Sequence, residues 1–340
     1  MGFYYQFRAR LVEAVQAEKT TNGDGLGADP VFWKAAGDEL LFTKALTEPK
    51  QAWRTIRTFR RAVLSYREEL QKKQPSLDVK AHAWIAGFPI LNARIPMDDD
   101  GARDLDIEGE PPVVAYRLEH RLSKKEALST SIDYLGPSID LGFRLGKLAE
   151  RRKFIVSADL AYLLCDQEDK DDKEIRFWYE GRQQLKGILG DRPYPLFWID
   201  MNSGGIDVQE DGLLGRQPID RHKVRDFCRL FLDDTAGAMC LPYIVSDEGK
   251  AVYSVIPSAH QQALTDLRRL AAAETERDSI PLNTTEEASA SKAVPKITTA
   301  LSTFLSRVEA TAPTKSMKKK PPNVPSRTSR TGKPRRSGKK

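Results

Sequence analysis

The spacing of apolar and polar positions changes repeatedly along this chain of 340 residues, and the changes mark its elements. A helix is predicted from about Phe3 to Ala17, followed by the turn-rich TTNGDGLGADP. FWKAAGDELLF then sets two apolar flanks around Gly37-Asp38, the pattern of a hairpin. Over 50–72, Trp53, Ile56, Phe59/Arg60, Val63 and Tyr66/Leu70 recur at helical spacing, a stripe that belongs to a core. VKAHAWIAGFPILNARI, 79–95, alternates and contains β-branched and aromatic residues, so one strand is expected there. An acidic loop at 96–112 and a polar stretch to about 128 follow. Next come a strand at SIDYL, a turn at Gly136-Pro137, a helix from Ser138 to Arg151, a strand at FIVSA and another helix; Pro137 sits where a first-turn proline is tolerated. RFWYEGRQQLKGILGDRPYPLFWIDM is expected to form two antiparallel strands with a Lys-Gly junction between them. Residues 202–275 form a second segment with a helix near His222–Asp233 and strands at YIVS and AVYSVI. Beyond Glu274 the composition shifts to Ala, Thr, Ser and Glu, with a short helix at 297–310. The order is that of an α+β sandwich of mixed sheet and helices. It divides into a domain at 1–201, a small α+β extension at 202–275 and a tail at 276–340.

Composition refines this division. The net charge of +6 is unevenly distributed: eleven Lys and Arg and no acid lie from Lys315 onward, leaving the body near −5. The tail is rich in Pro, Ser and Lys and cannot bury enough apolar area to fold. Nucleic-acid binding would rest on that tail alone, would fade steeply with salt, and is not expected of the domain. No apolar run approaches the ~20 residues of a membrane span, and no membrane partner is expected. MGFYYQFRARLVEAVQ lacks the zones of a signal peptide, and Gln6 stands where myristoylation expects Ser or Thr. Cys165, Cys228 and Cys240 are odd in number and widely spaced, which suggests neither a disulfide framework nor a zinc knuckle and fits a reducing cytoplasm. The four histidines are scattered and read as structural, and GILGDR lacks the Gly-Lys-Ser/Thr ending of a P-loop.

The charged positions that remain converge on one chemistry. Asp38 at a hairpin tip suits a hard cation. Asp140 and Arg144 are four apart on a predicted helix and share a face. Lys186 precedes a glycine at a strand end, where it can reach an anion. A carboxylate, an arginine and a lysine together are what phosphoryl transfer asks for. Taken singly each has a plainer reading: a turn, a surface ion pair, a solvated strand lysine.

Taken in order, WKAAGDELLF, DYLGPSIDLGFRL and LKGILGDRPYPLFWI resemble the catalytic domain of class III nucleotidyl cyclases over roughly residues 1–201. The last two motifs are most similar in wording to the pyrimidine cyclases of bacterial antiphage (Pycsar) defence. The resemblance implies a ferredoxin-like sandwich, mainly antiparallel, with helices on one face. It implies conversion of UTP, or less favourably CTP, to the 3′,5′-cyclic nucleotide and diphosphate. Asp38 would hold divalent metal, with two Mn²⁺ or Mg²⁺ ions expected. Arg144 would stabilise the transition state, Asp140 stands where the family usually has Asn, and Lys186 would bind terminal phosphates. Lys34 and Asp133 match the positions that read the base, and they would also suit ATP, so a purine cyclase stays open; Trp33 or Phe32 could narrow the pocket against a purine. The family works as a head-to-tail homodimer with shared sites, beside a separate effector that senses the cyclic nucleotide. Its first strand, with a second metal aspartate, should precede the helix at Phe3, and MGFYYQF carries no acid. Either some two dozen residues lie upstream, or the chain is a cyclase homologue that binds nucleotide without turnover.

Overall fold

The computed structural model describes residues 2–97, 132–166, 174–201, 204–236, 238–246 and 250–278. The acidic loop, the short helix at 297–310 and the basic tail lie outside them. Seventeen helices and strands are described in chain order. Helix α1 spans Gly2–Asn22, the hairpin pairs β1 (Val31–Ala36) with β2 (Glu39–Thr43), and α2 is Pro49–Lys73. β3 (His82–Ala83), β4 (Ala93–Pro96), β5 (Ile132–Leu135) and α3 (Pro137–Gly146) follow. Then come β6 (Lys153–Val156), α4 (Ala158–Cys165), β7 (Phe177–Gln184) and β8 (Pro193–Asp200). The chain continues through α5 (Gly205–Leu214), α6 (Arg221–Asp234), β9 (Ile244–Val245), β10 (Ala251–Tyr253) and α7 (Ser258–Asp278).

The architecture is α+β. A four-stranded sheet runs β3-β6-β8-β7, parallel only between β3 and β6. β8 is one of its two inner strands and is buried almost throughout, which explains the apolar run PYPLFWI. One face packs on α2 through Phe59 against Phe154. On the other face the cross-strand pair Trp178–Trp198 stacks, with Arg152 over both rings and held by Asp211 of α5. β1–β2, β4–β5 and β9–β10 are separate two-stranded ribbons.

Helix α1 runs past Ala17 to Asn22, with the Thr20 and Thr21 hydroxyls bonding back to the Gln16 and Ala17 carbonyls; the chain leaves it at Gly23, whose φ is +62°. In α2 the expected stripe is the core face, with Trp53, Ile56, Val63 and Tyr66 buried. Two arginines are buried beside it. Arg60 donates to the Asp200 carbonyl. Arg67 donates to the carbonyls of Met201, Val79 and Arg151 and pairs with Asp78, so one guanidinium ties four chain segments together.

Two expectations change. The single strand expected at 79–95 is two short strands: Pro89 has no N–H for a ladder, and the chain leaves β3 after Ala83. The intervening loop is held by Asn92, which donates to the Gly87 carbonyl. Helix α3 ends at Gly146, because residues 147–152 are needed to reverse the chain into β6. Within residues 202–275, Val224, Cys228, Phe231 and Leu232 of α6 belong to the same buried cluster as the sheet. Among the described residues no helix is long and apolar enough to cross a membrane.

Candidate functional site

Lys34 and Asp133, 99 positions apart in sequence, form one ion pair at 2.7 Å. Oδ1 of Asp133 also accepts the Trp33 indole N–H at 3.0 Å and the Tyr134 backbone N–H at 2.9 Å. Neighbouring residues of a regular strand point to opposite faces, so Trp33 and Lys34 should not reach one oxygen. They do because the hairpin register slips between Phe32 and Lys34, leaving Trp33 as the extra residue of a bulge. The bulge explains why a charged residue is tolerated there. The Lys34 ammonium lies 4.4 Å from the Trp33 ring centre and 5.8 Å from that of Phe143, and Trp33 meets Tyr134 edge-on at 4.9 Å. Burial alone would raise the Asp133 carboxyl, but the hydrogen bonds from Lys34, Tyr134 and Trp33 and the Lys34 charge hold it below its ordinary value.

Phe143 links this cluster to the next one. Helix α3 starts directly after β5, so Asp133, Asp140 and Arg144 are carried on one strand–turn–helix. Gly136 makes the turn at φ +139°, and a Cβ there would meet Asn92 Oδ1 at 2.4 Å. With no side chain at the helix cap, Asn92 Oδ1 takes the Ser138 N–H from outside. Further along, a Cβ on Gly142 would lie 2.2 Å from the Trp84 ring, and one on Gly146 would lie 2.7 Å from that of His82. The two glycines let the stacked His82 and Trp84 rings lie flat on α3 and fix its position.

Arg144 pairs with Asp140 at 3.3 Å. Its Nε is shut off from solvent and has no acceptor. A Cβ built on Gly187 would come within 3.9 Å of Arg144 Nη2, so the Lys186-Gly187 turn lies beside the guanidinium. Lys186 itself is exposed. The expected residues therefore fall into two adjoining groups, Lys34 with Asp133 and Asp140 with Arg144 near Lys186. Asp38 stands apart, exposed at the hairpin tip beside Gly37 at φ +65°. Sequence reasoning missed Asn92, Gly142 and Gly146. Their roles depend on what packs against them, although the four-residue glycine spacing was a readable sign of close approach.

Two divalent ions ~3.5–4 Å apart are held by shared carboxylates, and among the described residues of one chain no group of three or more His, Cys, Asp or Glu is gathered for them. Asp38 could supply one ligand.

A cleft of about 1680 Å³ separates the hairpin from the main sheet. Consecutive residues of β2 (Leu40, Leu41, Phe42) and of the β3 stretch (Ala81, His82, Ala83) line it. Asp38 and Asp140 lie on its rim and Ile56 and Val63 on its wall. No family model matches the chain, and no curated protein matches it.

Proposed function

We propose that this protein binds a pyrimidine nucleoside triphosphate and, as a homodimer with the site shared between subunits, converts it to the 3′,5′-cyclic nucleotide. The observation that carries this reading is the juxtaposition of a fixed Lys34–Asp133 pair with Arg144 beside the Lys186-Gly187 turn. The first pair offers a donor and an acceptor to the edge of a base. The second group offers cationic character to a polyphosphate chain. Asp133 of the first group and Asp140 and Arg144 of the second are carried on the one strand–turn–helix of β5 and α3, an arrangement that would take a base at one end and phosphates at the other. In this reading Asp38 would serve the partner's half of the shared site, Asp140 would orient Arg144, and the product would be a second messenger sensed by a separate effector in antiphage defence.

A second reading, nucleotide binding without turnover, is favoured by the single carboxylate at the hairpin tip. One experiment separates the two. The full chain is incubated with each of the four ribonucleoside triphosphates and Mn²⁺, and products are identified by mass. Equilibrium binding of the same nucleotides is measured in parallel. Cyclic UMP or CMP is expected, and Arg144→Ala should abolish it while leaving the unfolding midpoint within a few degrees. Binding with no cyclic product selects the second reading, a purine product moves the specificity to adenylate or guanylate, and no binding at all refutes both.

A further inference from the structure

We infer that Trp33 is a positioning residue for base recognition, its indole N–H and ring face setting Asp133 and Lys34 so that a nucleobase meets one carboxylate oxygen beside one ammonium. The inference rests on the nucleotide reading above and assigns a residue that the cyclase motif does not include. Its basis is the bulge. Only because Trp33 is the extra residue of β1 does its N–H reach the same Asp133 oxygen as the Lys34 ammonium.

That oxygen takes three donors, which prevents the carboxylate from turning. Lys34 spends one of its three protons on it and rests on the Trp33 ring. Both side chains of the ion pair are about a third exposed, 36% for Lys34 and 30% for Asp133. A pair so exposed would ordinarily sample several geometries; the indole removes that freedom. What it leaves is a fixed acceptor next to a fixed donor. Such a pair complements the amide or amidine edge that nucleobases carry, such as N3–H beside O4 in uracil.

The test compares UTP with inorganic tripolyphosphate, a probe that has the phosphates but no base. Binding to the full chain is measured without divalent cations, so that no turnover intervenes. Trp33→Phe keeps a ring in the bulge and removes only the N–H. UTP affinity is expected to fall about tenfold while tripolyphosphate affinity stays unchanged, a split that a merely structural role would not produce. If Trp33→Phe does not fold, Trp33→Tyr is read in the same way. Equal losses for the two probes, or no loss of UTP affinity, would overturn the assignment of Trp33 alone. A wild-type chain that binds UTP no better than tripolyphosphate would overturn the nucleotide reading as well.

Discussion

Asp140 holds Arg144 in place and also neutralises it. The carboxylate sits in the first turn of α3 and the guanidinium in its last, each favoured by the helix dipole. An exposed pair of this kind contributes at most about 1 kcal/mol. Yet the same carboxylate competes with any phosphate that approaches the arginine. Asp140→Asn should therefore leave stability nearly unchanged and tighten tripolyphosphate binding up to about fivefold, as read by calorimetric titration. Weaker binding would show that holding Arg144 in place outweighs neutralising it. The enclosed Arg144 Nε is an unmet donor of a kind that costs about 1–3 kcal/mol.

At the scale of elements, α3 is shaped from outside. Gly142→Ala would put a methyl into the Trp84 ring, displacing the ring or the helix, and should destabilise the protein by about 1–3 kcal/mol. Urea denaturation would measure it, and an unchanged midpoint would show that the packing there can yield. The same contact explains what could be read in advance. The β1–β2 hairpin and α2 were legible because turn chemistry and helical period are local. Pro89 was a readable mark of the break within 79–95, but the role of Asn92 was hidden because it answers to Ser138 at the N-terminus of α3, which lies far along the chain. The bulge at Trp33 left no mark in the alternation. α5 was missed because its apolar residues do not mark a buried face: Ile206 is 80% and Leu213 88% exposed. Among the candidate site residues, the types were legible from motif and order. The convergence of Trp33, Lys34 and Asp133 on one oxygen was not, since it needs both the bulge and the β4–β5 ribbon.

For the whole molecule, two desolvated groups on the cleft oppose each other as pH changes. Burial, and then the charge of Lys80, pulls His82 from 6.5 to about 4. Between those values the unfolded chain binds a proton that the folded one refuses, so stability falls as pH falls. Burial pushes Asp159 from 3.8 up to about 6, against hydrogen bonds from Ser157 and Leu160. There the folded chain keeps a proton that the unfolded one loses, so stability falls as pH rises. The two nearly cancel between pH 4 and 6. His82→Gln should expose a decline toward pH 6, and Asp159→Asn a decline toward pH 4, each on the order of 1–2 kcal/mol after solvent screening. Urea midpoints at pH 4.5 and 6.5 would show it, and parallel slopes in both variants would contradict it. Arg67 has a different consequence. One side chain anchors the carbonyls at Val79, Arg151 and Met201, so the loss of that single guanidinium would strip a donor from three bends of the sheet rim at once.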